Sequence, residues 1–258
     1  MLDEWVPYRR QDSRVQLRVF GFPHAGGNAY FYQAWRKLMP ADIDFCPVEL
    51  PGHGPRMDET PLTNLDSLVA TLQVILEPLL MVPFAFFGHS AGACIAFEAA
   101  RAIRSADERS AIHLFVSGCP APDAAMENPC KHSMSDQDLI AALIRYGGTP
   151  PAVIERTELM AAILPTLRAD LALVENYCPA PGTHIACPIT VFGGADDTVD
   201  NASLQAWSTY TKGTFRVQIF PGGHFYLSEV SSAVVDQIIK EMRFQKTLLG
   251  PRLAGVTT

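Results

Sequence analysis

The stretch Phe84-Ala85-Phe86-Phe87-Gly88-His89-Ser90-Ala91-Gly92-Ala93-Cys94-Ile95-Ala96-Phe97-Glu98 changes character at its middle. Its first four residues are an uninterrupted apolar run, as expected of a strand buried on both faces. From Ala91 a helical pattern runs to Ser105. Between them lies Gly88-His89-Ser90-Ala91-Gly92, a G-x-S-x-G sequence joining strand to helix. Such a turn is sharp enough that side chains at either glycine would clash, and it pushes the serine into a strained, exposed position. The five residues alone are a weak pattern; strand before and helix after make Ser90 a candidate nucleophile.

Outward from this turn, apolar strands alternate with helical patterns, the signature of a mostly parallel sheet flanked by helices. The strands expected are Val15 to Phe22, Ile43 to Leu50, Phe84 to Gly88, Ile112 to Gly118, Pro188 to Gly193 and Phe215 to Phe220. Helices are expected over Phe31 to Met39, Leu65 to Leu76, Ala91 to Ser105, Ala202 to Tyr210 and Leu227 to Phe244. The gap from Gly118 to Pro188 is too long for a simple crossover. It carries helical stretches around Asp136 to Arg145, Glu155 to Leu164 and Leu167 to Tyr177, and opens and closes with the Pro-rich turns 119–122 and 178–182. We read 119–184 as a helical lid inserted in a single domain spanning 1–258, with a loose tail after Gly250.

The 258 residues are 48% hydrophobic and 18% charged, which excludes a disordered chain and provides for a large core. A net charge of −7 with no Lys/Arg-rich run argues against nucleic acid as a partner. The most membrane-like stretch, Leu68 to Phe87, is interrupted by Gln73, Glu77, Pro78 and Pro83, so it reads as a helix followed by a buried strand. The polar start, Met1 to Arg14, has no secretory pattern, and the expectation is a cytoplasmic protein with no membrane partner. The six cysteines show no C-x-x-C spacing, the histidines no H-E-x-x-H, and Gly21 to Gly27 no G-x-G-x-x-G; no metal or cofactor is expected.

A serine hydroxyl needs a base to take its proton and a carboxylate to orient that base. Gly193-Gly194-Ala195-Asp196-Asp197-Thr198-Val199 follows one strand, and Pro221-Gly222-Gly223-His224-Phe225 follows the next. Ser, then Asp, then His, each at the carboxyl end of a strand, is the α/β-hydrolase arrangement. Of the seven histidines, His224 stands where the base belongs; His89 is the variable position of the serine turn and His113 lies within a strand. Asp196 and Asp197 both qualify as the acid. Spacing from Gly193 favours Asp196, leaving Asp197 a solvated turn residue. The oxyanion donors expected are the backbone N–H groups of Ala91, which follows the nucleophile, and of Ala25 in Phe22-Pro23-His24-Ala25-Gly26-Gly27.

On those residues, together with Glu49-Leu50-Pro51-Gly52, the chain resembles the stand-alone type II thioesterases of polyketide and nonribosomal peptide assembly lines. The resemblance spans most of the chain. It implies an α/β hydrolase with a helical lid that hydrolyses acyl groups stalled on the phosphopantetheine arm of acyl or peptidyl carrier proteins. Two departures stand out: His53 where the family often has Arg, and Ala91 where it often has Met. Carrier proteins are generally acidic, so basic groups near the entrance are expected, with Arg56, Lys131 and Arg145 the candidates. A product-releasing or cyclising enzyme, a small-molecule carboxylesterase and a non-catalytic carrier-protein binder are the competing readings.

Overall fold

The computed structural model describes residues 1–122, 131–149, 151–177, 179–180 and 182–250. The tail after Gly250 and part of the second Pro-rich turn, 178–182, lie outside the described residues. Six strands form one sheet: β1 (Leu17–Phe22), β2 (Ile43–Pro47), β3 (Phe84–His89), β4 (His113–Ser117), β5 (Ile189–Gly194) and β6 (Phe215–Phe220). Their order is β2-β1-β3-β4-β5-β6 and each neighbouring pair runs parallel. The expected strands are all present, with ends moved by at most three residues.

Alternation along the strands explains the apolar runs. Phe84 and Phe86 enter one core together with Phe20, Leu114 and Val191; Ala85 and Phe87 enter the other with Val19, Phe115 and Phe192. A strand with a core on each side is apolar at most positions, and each fully buried Phe contributes about 1.5–3 kcal/mol relative to exposure. The helices are α1 (Leu2–Trp5), α2 (Gln33–Leu38), α3 (Leu65–Leu76), α4 (Ala91–Ala102), α5 (Asp136–Tyr146), α6 (Pro151–Ile154), α7 (Thr157–Glu175), α8 (Asn201–Gln205) and α9 (Ser231–Leu249). α3 and α4 cover the first core; α2 and α9 cover the second, α9 through Val234, Val235, Ile238 and Met242. Among the described residues no helix is long and apolar enough to cross a membrane.

The segment between β4 and β5 holds α5, α6 and α7, which share a small apolar cluster of Leu139, Met160, Leu164 and Leu167. Ser135 caps α5 by accepting from the Asp138 N–H, and Gly147 ends it at φ +77°. One expectation is corrected here. The helical stretches expected around Glu155 to Leu164 and Leu167 to Tyr177 are one helix, α7, which runs unbroken through Pro165. A proline deprives the helix of one hydrogen bond and crowds the carbonyl four residues back, at about 3 kcal/mol. Met160 and Leu164 before the proline and Leu167 after it are buried in one apolar cluster with Leu139 of α5, and that packing holds the turns together.

The chain order of the strands also places the chemistry. From β1 the chain goes outward to β2 and then returns to β3 on the other side of β1. At such a reversal the loops after the two central strands diverge and leave a crevice at their carboxyl ends. The loop Pro23–Gly27 leaves β1 at that point, and Ser90 follows β3.

Candidate active site

Ser90 sits at φ +54° and ψ −123°, a backbone region that residues with a Cβ seldom adopt. The turn is fixed from both sides: the Ser90 N–H donates to the Ser117 carbonyl at 2.8 Å, and the Ala93 N–H donates to the Ser90 carbonyl at 2.9 Å. A Cβ on Gly88 would lie 2.0 Å from the Gly92 carbonyl oxygen. One on Gly92 would lie 2.3 Å from the Phe22 carbonyl oxygen and 2.4 Å from that of Pro23. Gly92 therefore lets the first turn of α4 press against the backbone that leaves β1. Ser90 and the Pro23–Gly27 loop are neighbours for that reason.

His224 lies on the loop after β6, where Gly222 adopts φ +108°. Its Nδ1 donates to the carboxylate of Asp197, at 2.9 Å to Oδ2 and 3.1 Å to Oδ1. This corrects the choice of acid. Asp196 is exposed, whereas the Asp197 side chain is fully buried. The physical reason is a strand that is one residue longer than expected. β5 continues to Gly194, so its turn falls on Ala195 and Asp196, and the chain brings Asp197 back toward the sheet edge. The Ala195 N–H donates to Phe220 and the Asp196 N–H to Gly222, tying this turn to the histidine loop. Asp197 Oδ1 also accepts the Val199 N–H at 3.2 Å, which holds the carboxylate in place. With Nδ1–H committed to Asp197, Nε2 of His224 is left as the proton acceptor.

In the loop after β1, the Gly27 N–H donates to the His24 carbonyl at 2.9 Å and the Gly26 N–H to Asp170 Oδ2 at 2.6 Å. Ala25 and Ala91, the expected oxyanion donors, line one small cavity with His53 and Asp170. The position at the N-terminus of α4 favours negative charge beside Ala91.

Two further imidazoles pack around His224. His89 lies 5.1 Å from it, ring centre to ring centre, and His24 lies 6.1 Å from His89. Burial and the neighbouring charges of His224 and His53 lower the His24 pKa to about 4. Burial, with His224 and His24, pushes His89 well below its ordinary value. Both are neutral at pH 7, so neither adds a positive charge beside the base. A hydrogen-bond chain from Tyr226 Oη to Ser117 Oγ (2.6 Å) and on to His89 Nδ1 (2.9 Å) fixes that ring. The basic candidates fare differently from expectation. Arg56 is buried, donates to both oxygens of Glu59 and to the Glu49 carbonyl, and lies over the Trp5 ring. It is committed inside the fold. Lys131 lies over Tyr146 at 5.2 Å from the ring centre, and Arg145 is exposed.

A family model described as a thioesterase domain matches residues 17–243. The chain belongs to the thioesterase family. This thioesterase is 38% identical to the gramicidin S biosynthesis protein GrsT of Aneurinibacillus migulanus over 98% of each chain. It is 36% identical to thioesterase TesA of Mycobacterium leprae, over 85% of this chain and 84% of that one. Among solved structures it is similar to the type II thioesterase BorB from the borrelidin biosynthetic cluster, with a TM-score of 0.82 and 36% identity over 93% of this chain and 98% of that one. It is thus a thioester hydrolase of the serine type on an α/β-hydrolase fold.

What sequence reading missed in this thioesterase is the pair His53 and Asp170, placed in contact at 2.8 Å although 117 residues apart. The signal was present for Asp170: it interrupts the buried stripe Leu164, Leu167, Leu173 at helical spacing. For Ser117 and Tyr226 nothing in the sequence marks them out.

Proposed function

We propose that this thioesterase hydrolyses acyl groups from the phosphopantetheine arm of acyl or peptidyl carrier proteins, clearing stalled polyketide or nonribosomal peptide synthases. The reading is carried by His224, oriented by Asp197 and set beside the strained Ser90 turn, in a chain of the thioesterase family. The similarity to GrsT over nearly the whole chain supports the pathway class.

In this reading the thioester carbonyl oxygen meets the N–H groups of Ala25 and Ala91. Ser90 Oγ bonds to the carbonyl carbon as His224 Nε2 takes its proton, and Asp197 stabilises the imidazolium. Collapse of the tetrahedral intermediate breaks the C–S bond, and His224 returns the proton to the departing sulfur. Water then attacks the acyl-serine ester as Nε2 takes its proton; the bond to Ser90 Oγ breaks, Nε2 returns the proton to that oxygen, and a free acid leaves. The substrate brings its own pantetheine arm, and the steps require no cofactor of the protein. The inserted helices act as the lid. Tyr146 at the end of α5 lies 5.2 Å from the His224 ring, and Gly148 sits so close to Phe225 that a Cβ there would reach 2.1 Å from its ring.

The test compares kcat/KM for one acyl group on a carrier protein and on a small thiol, with Ser90→Ala as control. Expected are a strong preference for the carrier form and a loss on the order of 10³-fold or more in kcat for Ser90→Ala. Equal rates on both forms would remove the carrier from the reading, and near-parental turnover by Ser90→Ala would remove the nucleophile.

A further inference from the structure

Helix α7 buries a stripe of leucines, and within it Asp170 is only 8% exposed. A carboxylate in such a place is costly unless its oxygens are partnered by donors or positive charge. Oδ2 of Asp170 accepts from the Gly26 N–H at 2.6 Å and from His53 Nε2 at 2.8 Å. His53, in the turn after β2, also places Nδ1 3.0 Å from the Pro51 carbonyl oxygen. Both partners of the ring are acceptors, and a neutral imidazole has one N–H to give. Satisfying the two together requires the imidazolium.

The charged surroundings favour that form. Burial works against it, but the hydrogen bond and charge of Asp170, the Pro51 carbonyl and the charge of Glu49 outweigh burial and raise the His53 pKa. The titratable and charged groups facing His53 are Asp170 on α7, Glu49 just after β2 and His24 on the loop after β1, while Arg56 in the same turn as His53 acts on Glu49. Two more contacts tie α7 to these turns. Thr166 Oγ1 donates to the Gly52 carbonyl at 3.1 Å, and Ala25 packs against the apolar cluster of α5 and α7. Gly26 itself stands at φ +73°, where the adjoining peptides turn easily unless something holds them.

We propose that Asp170 is a positioning residue for the oxyanion loop, holding the Gly26 N–H from the inserted helix while the His53 imidazolium keeps the carboxylate ionised and aimed. The proposal rests on the reading that Ala25 and Ala91 receive the oxyanion of a Ser90 reaction. It makes the oxyanion loop conditional on the seating of α7. When the helix is lifted, the loop loses its strongest fixed point, because the hydrogen bond to a carboxylate is charge-assisted.

The test uses the full chain and the variants Asp170→Ala, Asp170→Asn, His53→Gln and His53→Arg, assayed on an acyl thioester of a small thiol across pH 6–9. Hydrogen exchange of the Gly26 amide is followed in parallel. Asp170→Ala is expected to lower kcat about 10- to 100-fold and to move KM far less. Asp170→Asn keeps an acceptor oxygen for Gly26 and loses less. The parent loses kcat on the alkaline side as His53 gives up its proton; His53→Arg, whose cation does not titrate, removes that limb, and His53→Gln shows the reduced rate throughout. Exchange at Gly26 is expected to quicken in Asp170→Ala and His53→Gln. Parental kcat, an unaltered alkaline limb and unchanged Gly26 exchange in the Asp170 variants would overturn the proposal. Should Asp170→Ala not fold, the isosteric Asp170→Asn decides by the same readouts. Exchange needs no substrate, so it settles the role of Asp170 even if Ser90→Ala proved as active as the parent, the separate result that removes the catalytic reading.

Discussion

At the scale of single residues, a serine at φ +54° carries a backbone strain of about 1–3 kcal/mol, and it persists only because the Ser117 carbonyl and the first turn of α4 hold it on both sides. The same economy of contacts separates the two adjacent aspartates. The Asp197 side chain is buried and both its oxygens accept from His224 Nδ1, while Asp196 faces solvent. Asp197→Asn leaves the shape nearly intact, but an amide can turn its NH2 to the ring and reverse the tautomer, so kcat is expected to fall about 10³- to 10⁴-fold. Asp196→Asn is expected to stay within about twofold, the ordinary range for a solvated turn residue. Steady-state kinetics of the pair on one thioester checks this; a larger loss at position 196 would reverse the assignment. The neighbour rule that pointed to Asp196 counts residues along the chain. Which carboxylate meets an imidazole is instead set by where a strand stops pairing, and β5 pairs with β6 as far as Gly194.

At the scale of elements, the serine turn is a contact between a strand end and a helix start with no room for a methyl group. Gly88→Ala would place a Cβ 2.0 Å from the Gly92 carbonyl oxygen, which is backbone and cannot rotate away. The expected cost is about 3 kcal/mol or more, read as a lowered midpoint in urea unfolding. An unchanged midpoint would mean that β3 and α4 can separate without penalty. This clash was legible in the residues: glycines on both sides of a serine between a buried strand and a helix admit few other structures. The continuity of α7 was not. Proline at position 165 reads locally as a break, and only the packing of Met160, Leu164 and Leu167 in the cluster shared with α5 overrules it.

At the scale of the molecule, two imidazoles within the sheet, His89 and His113, and one on the loop after β1, His24, stay neutral in the folded protein. Burial is the leading cause for each: His24 is lowered to about 4, His113 to about 3, and His89 well below the ordinary value. In the unfolded chain each titrates near about 6.5. The unfolded state therefore binds more protons below that pH, and stability present above about 6.5 is lost as pH falls toward about 4. His113 lies away from the active site, with Nε2 2.9 Å from Thr190 Oγ1 and its ring stacked on Phe115. His113→Gln keeps a polar partner for Thr190 and removes one titration. Urea unfolding between pH 4.5 and 7.5 is expected to show its acid slope reduced by up to about 1.4 kcal/mol per pH unit relative to the parent. Identical slopes would mean that His113 is protonated in the folded state.

The sequence by itself determined the strand and helix pattern, the serine turn and the histidine loop, because each rests on a local rule: apolar period, glycine at a forbidden contact, or a side chain at a strand end. Tertiary structure alone decided that Asp197 rather than Asp196 meets His224, that α7 runs through Pro165, that Arg56 is buried over the Trp5 ring, and that Asp170 reaches both Gly26 and His53. Those four outcomes share one cause. Each is a choice between local alternatives of similar energy, and a contact with a different part of the fold tips it: the β6 edge, the apolar face shared by α5 and α7, the ring of Trp5, and the loop that leaves β1.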